Sequence, residues 1–210
     1  MNYRICEAEQ GTPEWLADRA GCATGSKAKL IPEAKSDKEK TGRTNYIYEL
    51  AEQRVTGLIQ EQGFISDAMK YGTEMEPFAR MAYEGKTGTD VEQVGFIRLN
   101  DMAAGCSLDG MYRAGGRIVG IHEWKCPMLK THIGYLKAAT LPTDYRHQVI
   151  HNLWVTGADW CDFGSYRPGF KFFLIRVHAK DLPIAEHDNQ VRKFLAEVDA
   201  CENEIRSFAE

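Results

Sequence analysis

The chain has 210 residues, of which 43% are hydrophobic and 27% are charged, and its formal net charge is −4. This length suits one domain with a substantial buried core, so we expect a single domain over residues 1–210. An acidic balance argues against a protein that coats nucleic acid passively. It does not exclude an enzyme that acts on DNA, because such an enzyme needs positive charge only where the DNA backbone runs.

Neither membrane contact nor disulfide bonding is expected. No apolar run approaches the ~18 residues that a membrane-spanning helix needs, and the first residues lack an apolar signal segment. Six cysteines are scattered through the chain without a Cys-x-x-Cys pair. This spacing indicates reduced, mostly buried thiols and argues against a zinc site. We therefore expect a cytoplasmic protein.

The pattern of apolar residues and turn residues predicts helices and strands in mixed order. In chain order, we predict a helix begun by Thr12-Pro13 and ended by Gly21, a mobile lysine-rich loop over 34–43, a helix over 44–55 closed by Gly57, a helix over 71–84, a strand over 94–99, a hairpin over 106–125, helices over 129–139 and 142–156, strands over 160–166 and 171–178, and a helix over 188–208.

Two helices carry finer predictions. Pro77 predicts either a kink or a later start of the helix over 71–84, and Gly85 is expected to cap that helix. The last helix has one apolar stripe that we interpret as core. Its members are Val191, Phe194, Leu195, Val198, Cys201, Ile205 and Phe208. Together the elements predict an α/β or α+β fold, with a mixed central β-sheet flanked by α-helices.

The hairpin over 106–125 carries the clearest chemical signal. Asp109 lies beside a glycine turn, and Glu123 and Lys125 end an apolar strand and project to one face of it. Two carboxylates can hold a hard divalent cation, and a lysine beside them can orient or deprotonate a water for phosphodiester cleavage. The spacing alone is equally compatible with a surface ion pair at a strand end.

The acidic-x-Lys pattern occurs at two other places, Glu33-Ala34-Lys35 and Glu84-Gly85-Lys86. Neither follows a predicted strand, so context favours Glu123-Trp124-Lys125. His147 and His151 form a further candidate pair, since they are one helical turn apart. No third ligand is obvious, and an unligated pair is the favoured interpretation.

Five stretches in order resemble the lambda-type alkaline exonucleases, viral recombination nucleases of the PD-(D/E)xK superfamily. The stretches are Gly11-Thr-Pro-Glu-Trp15 with Arg19 to Ser26, Gly72-Thr-Glu-Met-Glu76-Pro-Phe-Ala79, Ser107-Leu-Asp109-Gly110, Glu123-Trp-Lys125-Cys-Pro127, and Gln148-Val with Trp154-Val-Thr156. The resemblance runs from about Gly11 to the final helix. It implies a restriction-endonuclease-like core.

The resemblance also implies the roles of individual residues. Matched to the family's catalytic positions are Asp109, Glu123, Lys125, Glu76 and Gln148. Asp109, Glu123 and Glu76 correspond to metal ligands, and the backbone carbonyl of Trp124 is a plausible further one. Two Mg²⁺ ions, for which Mn²⁺ can substitute, suit such an all-oxygen site. Arg19, Ser26 and Ser107 match the pocket that receives a 5′-phosphate.

Three positions depart from the family pattern. Leu108 stands where many members have proline, Trp124 replaces an aliphatic residue, and Ile150 replaces a second glutamine that some members carry. The first two leave the carboxylates intact, whereas Ile150 puts any role for a second amide in doubt.

The implied activity is Mg²⁺-dependent 5′-to-3′ digestion of one strand of linear double-stranded DNA to 5′-mononucleotides, which leaves a 3′ single-stranded overhang for recombination. The implied partners are a homotrimeric ring around DNA and a phage-type single-strand annealing protein, in a bacterial host cell. A structure- or sequence-specific endonuclease of the same fold and a catalytically silent DNA-binding module are the alternatives. Whether the basic segment over 35–43 contacts DNA stays open.

Overall fold

A computed structural model describes residues 2–59 and 66–208. The helices are α1 (Pro13–Arg19), α2 (Asp37–Thr56), α3 (Asp67–Thr87), α4 (Leu129–Ala138), α5 (Thr143–Thr156) and α6 (Ile184–Arg206). The strands are β1 (Tyr3–Cys6), β2 (Ala23–Thr24), β3 (Phe96–Leu99), β4 (Ala104–Cys106), β5 (Gly110–Ala114), β6 (Arg117–Lys125), β7 (Trp160–Ser165) and β8 (Phe173–His178). Two short 3₁₀ helices span Gly25–Leu30 and Ala179–Asp181.

The strands form two mixed four-stranded sheets. The first has the order β1-β3-β4-β2, in which β2 and β4 run parallel and the other pairs run antiparallel. The second has the order β5-β6-β7-β8, in which β6 and β7 run parallel and the outer pairs run antiparallel. The predicted class, mixed β-structure flanked by helices, is confirmed, and its strands are divided between two sheets.

The β5–β6 hairpin forms where it was predicted. Its turn contains Gly115 and Gly116, whose φ angles of 59° and 77° lie in the region that glycine occupies without strain. Ile118 and Ile121 of β6 are at most 1% exposed. Burial of these apolar residues anchors β6 in the centre of the sheet and leaves its last residues at the sheet end.

Helix α5 lies between the two halves of the core. Its Leu153 packs with Ile121 and Phe163 of the second sheet. A second core joins α2 to α6, where the rings of Tyr46 and Phe194 stack with centroids 5.3 Å apart. Since α5 also contacts the 3₁₀ helix Gly25–Leu30, it connects this second core to the end of β6.

The predicted loop over 34–43 is wrong from Asp37 onward, where α2 begins. Ser36 caps the helix, because its Oγ accepts a hydrogen bond from the Glu39 backbone N–H at 3.3 Å. The Glu39 carboxylate in turn accepts one from the Lys35 backbone N–H at 2.7 Å. This arrangement resembles a capping box, which is encoded locally as Ser-x-x-Glu, except that Glu39 bonds to the residue before the cap.

Helix α3 is longer than predicted at both ends. Ser66 caps its start, so a start at Pro77 is wrong, and Pro77 lies inside the helix. Gly85 is also internal. The cap is Gly88, whose φ of 67° places it in the left-handed region.

The final helix begins at Ile184, earlier than predicted, and ends at Arg206. Four residues of its predicted stripe are buried: Val191, Phe194, Leu195 and Val198. Cys201 and Ile205 pack partly against the same core. Phe208 is 77% exposed, so its assignment to the core is wrong, because the helix stops before it.

All six cysteines are free thiols and five of them are buried, which confirms the prediction from their spacing. No helix in the described residues has the length and apolar character required to cross a membrane.

Candidate active site

The β5–β6 hairpin brings the predicted carboxylates and lysine together. Lys125 Nζ donates a hydrogen bond to Glu123 Oε1, so the two side chains share one face of β6. Asp109, just before β5, accepts a hydrogen bond at its Oδ2 from the Trp124 backbone N–H at 2.5 Å. Glu123 is 1% exposed. A buried acidic cluster therefore lies at the end of β6.

Helix α5 supplies two amides to this cluster. Gln148 Nε2 donates a hydrogen bond to Glu123 Oε1 at 2.6 Å, and Asn152 Nδ2 donates one to Glu123 Oε2 at 3.1 Å. Gln148 was predicted, and Asn152 was not. The available signal was helical spacing, because Asn152 is four residues after Gln148 and shares its face. Ile150, at the position of the second glutamine, is buried in the core.

Helix α3 places Glu76 beside the same cluster. Glu76, Asp109 and Trp124 line one cavity of about 520 Å³. The helix is oriented by Tyr83, which packs against Trp124 and whose hydroxyl donates a hydrogen bond to Asp162 at 2.7 Å. Since Tyr83 is two helical turns after Glu76, this anchor sets the direction in which Glu76 faces.

Burial and like charges perturb the carboxylates. Burial raises the pKa of Glu123 to about 7, against the opposing charge of Lys125, and it also raises the pKa of Asp109. Desolvation and then the charge of Asp109 raise the pKa of Glu76 to about 7, although Glu76 is an exposed residue. Three carboxylates therefore share one site that favours their neutral forms unless positive charge is supplied.

Lys125 supplies only part of that charge. Burial by itself would lower the pKa of Lys125, but the charges of Glu123 and Asp109 outweigh it and raise the pKa above its usual range. Its ammonium group also lies 5.2 Å from the centre of the Tyr145 ring. The Lys125 ammonium group can thus donate hydrogen bonds, as it does to Glu123 Oε1.

The donor chemistry of the cluster fits a hard divalent cation. Carboxylate and carbonyl oxygens are the ligands that Mg²⁺ prefers, and three carboxylates against one lysine leave a surplus of negative charge. In the described ranges, however, no three His, Cys, Asp or Glu side chains are arranged closely enough to hold a metal ion.

A second, smaller cavity of about 80 Å³ contains two residues of the predicted phosphate pocket, Arg19 and Ser26. The guanidinium of Arg19 lies over the Trp15 ring, 4.0 Å from its centre. Its Nε is buried and has no hydrogen-bond partner among the described residues. The alternative interpretation, an ion pair with Asp18 or Glu14, is not observed within residues 2–59 and 66–208. Among the described residues, Arg19 Nε is therefore a charged donor without an acceptor.

Ser107 lies behind the pocket and does not line it. Its Oγ accepts a hydrogen bond from Trp15 Nε1 at 3.1 Å, so it holds the ring on which Arg19 stacks. Ser26 Oγ lies 3.4 Å from Thr24 Oγ1. Arg19 and Ser26 thus face the cavity directly, whereas Ser107 acts through Trp15.

Two of the remaining candidates, His151 and Arg43, have structural partners. His151 contacts His187 and the Gly105 carbonyl through its two ring nitrogens, so neither nitrogen is free to share a metal with His147. In the basic segment over 35–43, Arg43 forms a two-point ion pair with Glu197.

The two other acidic-x-Lys triplets lie apart from the cluster. Glu84 accepts a hydrogen bond from the Val91 backbone N–H at 3.1 Å. Glu33 lies 3.7 Å from Lys193 on the surface.

Comparisons with known proteins agree with this architecture. A family model described as a YqaJ-like viral recombinase domain matches residues 14–159. No curated protein sequence matches the chain. The crystal structure of an alkaline exonuclease from Laribacter hongkongensis is 35% identical, with a TM-score of 0.81, and the match covers 93% of this chain and 97% of that one.

Two further structures are similar. The same exonuclease in complex with dAMP gives the same identity, TM-score and coverage. A phage-related exonuclease from Haemophilus somnus 129PT is 15% identical, with a TM-score of 0.59, and the match covers 89% of this chain and 95% of that one. At this identity the likeness concerns the fold alone.

Proposed function

We infer the function of this chain from its family: it belongs to the YqaJ-like viral recombinase domains, and it is a deoxyribonuclease of the alkaline exonuclease type. We propose that it digests one strand of linear double-stranded DNA from the 5′ end, releases 5′-mononucleotides and leaves a 3′ single-stranded overhang. Divalent cations, with Mg²⁺ as the physiological ion, are required.

The observation that carries this proposal is that a buried acidic cluster lies next to a pocket in which Arg19 Nε has no partner among the described residues. The cluster provides the groups that phosphodiester hydrolysis requires, namely two carboxylates for a divalent cation and a lysine (Asp109, Glu123 and Lys125). Arg19 provides a donor for a terminal phosphate that an enzyme cutting inside a duplex would not need. The 3₁₀ helix bearing Ser26 packs directly against α5, which bears Gln148, so pocket and cluster are neighbours.

The metal would be held by the carboxylates of Asp109, Glu123 and Glu76 and by the backbone carbonyl of Trp124. Bound there, divalent cations supply charge that stabilises the developing negative charge on the phosphate in the transition state. The complex of the Laribacter hongkongensis exonuclease with dAMP supports a mononucleotide product.

The side chains of this protein then position the reaction. Lys125, held as a cation by Glu123, donates hydrogen bonds to the attacking water or to the phosphate. Gln148 fixes the Glu123 carboxylate through Oε1. Arg19 and Ser26 hold the 5′-phosphate, and each cleavage exposes a new 5′-phosphate that the same pocket can receive.

The partners that we propose rest on the family resemblance. They are linear double-stranded DNA, two further copies of the chain in a ring around that DNA, and a phage-type single-strand annealing protein that receives the overhang. The resemblance also supports action in the cytoplasm of a bacterial host.

The decisive experiment uses linear duplexes labelled at the 5′ or the 3′ end of one strand, together with covalently closed circular DNA. We expect Mg²⁺-dependent release of the 5′ label as a mononucleotide before the 3′ label, and no cutting of the circle. Cutting of the circle would favour an endonuclease, and binding without release would favour a silent DNA-binding module. Chelation of divalent ions is the matched control.

A further inference from the structure

We propose that Asn152 is a positioning residue that fixes the Glu123 carboxylate by bracing it against the wall of the phosphate pocket. The inference rests on the proposed function, because it assigns Asn152 a part in that same site. Three observations carry it: a hydrogen bond to Glu123, an unpaired amide oxygen, and a glycine that makes room for that oxygen.

The first observation is the donor side of the amide. Asn152 is 1% exposed, and its Nδ2 donates to Glu123 Oε2 at 3.1 Å. The other oxygen of Glu123 already accepts from Gln148 and Lys125. Asn152 therefore supplies the contact that prevents rotation of the carboxylate about its last bond, since it holds the oxygen that the others leave free.

The second observation is the acceptor side. Asn152 Oδ1 is buried and has no hydrogen-bond partner among the described residues. A buried, unpaired amide oxygen destabilises the folded state. Turning the amide over would place its oxygen against Glu123 Oε2, where two acceptors repel. The carboxylate therefore dictates the orientation of the amide, at a cost in stability that points to a functional role.

The third observation is Gly25, the first residue of the 3₁₀ helix that carries Ser26. A Cβ atom built on Gly25 would lie 2.1 Å from Asn152 Oδ1 and 3.5 Å from Gln148 Cγ. Gly25 is absent from the residues with positive φ among those described, so its backbone accepts alanine and only the contact with Asn152 opposes it. The 3₁₀ helix that carries Ser26 and the Glu123 carboxylate thus both contact the Asn152 amide.

The test compares two substitutions at Asn152. Asn152→Leu keeps the size of the side chain, removes the donor and removes the unpaired oxygen. We expect kcat for nucleotide release to fall about tenfold to a hundredfold, the value of a hydrogen bond to a charged group. We expect KM for DNA to stay within about twofold and the melting temperature to change little, because removal of the unpaired amide oxygen offsets loss of the hydrogen bond to Glu123 Oε2. Asn203→Leu, at an exposed site on α6, is the matched control and should change none of these.

A merely structural role for Asn152 predicts the reverse pattern. The melting temperature of Asn152→Leu would then fall while kcat, measured well below it, would be unchanged. That result would overturn the proposal, as would an equal loss in kcat and in DNA affinity.

A stability cycle tests the geometry without reference to activity. Gly25→Ala should lower the melting temperature by several degrees, because the new methyl group meets Asn152 Oδ1. In the Asn152→Ala background the same change should cost little, since the obstructing amide is absent. Additive losses would refute the contact between Gly25 and Asn152. If wild type releases no nucleotides, the proposed function fails, and the cycle still decides whether this bracing contact exists.

Discussion

Replacing Arg19 with alanine is expected to erase a preference for DNA ends that carry a 5′-phosphate. The buried Arg19 Nε has no partner in the described part of the chain, so it is available to a ligand. The cavity is small, about 80 Å³, and Ser26 lines it together with Arg19. Trp15 limits the positions of the guanidinium from one side.

The size of the effect follows from the charge on both partners. A hydrogen bond between charged groups is worth about 1.5–3 kcal/mol, which corresponds to roughly tenfold to 150-fold in kcat/KM. Wild type should therefore prefer a 5′-phosphate over a 5′-hydroxyl by a factor in this range. Arg19→Ala should bring the ratio close to one, and Arg19→Lys should restore part of it, because lysine keeps the charge but not the planar fork.

The assay measures kcat/KM on matched linear duplexes that differ only at the 5′ end. Arg192→Ala is the control, since Arg192 pairs with Asp188 on the surface at 2.8 Å and should leave the ratio unchanged. If wild type shows no preference, or if Arg19→Ala lowers activity equally on both ends, Arg19 does not read the terminal phosphate.

Three further predictions concern the core of the site. Asp109→Asn keeps an acceptor for the Trp124 N–H and should abolish nucleotide release. It should also hold or raise the melting temperature measured without metal, because it removes one of three carboxylates that repel one another. Retained nucleotide release would contradict this prediction. Lys125→Ala should lower kcat far more than DNA affinity in single-turnover and binding assays, and equal losses would show a simple phosphate contact. Burial lowers the pKa of His122 to about 4 in the folded protein, whereas its value in the unfolded chain is about 6.5. The neutral form of His122 therefore contributes stability that is fully present above pH 6.5 and is lost as the pH falls toward pH 4. Relative to His122→Leu, wild type should lose about 1.4 kcal/mol of unfolding free energy per pH unit in that window, and a constant difference in denaturant titrations would refute it.

The acidic motif could be predicted from sequence because its contacts are local. Asp109, Glu123 and Lys125 lie on one hairpin, and strand alternation together with the Gly115-Gly116 turn places them on one face. The start of α2 was also encoded locally, in Ser36 and Glu39, but the lysine-rich composition of that segment concealed it. The end of α3 at Gly88, three residues after Gly85, could not be chosen from local pattern, because either glycine can cap a helix.

By itself, the sequence determined the types of most elements, most of their order and the residues that we propose for the chemistry; β1 and β2 were not predicted. Only the tertiary structure decided the division into two sheets, the stacking of Arg19 on the Trp15 ring that Ser107 holds, and the contacts of Asn152. These features bring together side chains that are far apart in the sequence. Asn152 and Glu123, for example, form a hydrogen bond although they are 29 positions apart in the chain. Periodicity and turn chemistry act over a few residues, whereas such contacts depend on how whole helices pack on a sheet. The orientation of the Asn152 amide depends on its contacts with Glu123 and Gly25, which only the packing of separate elements brings close to it.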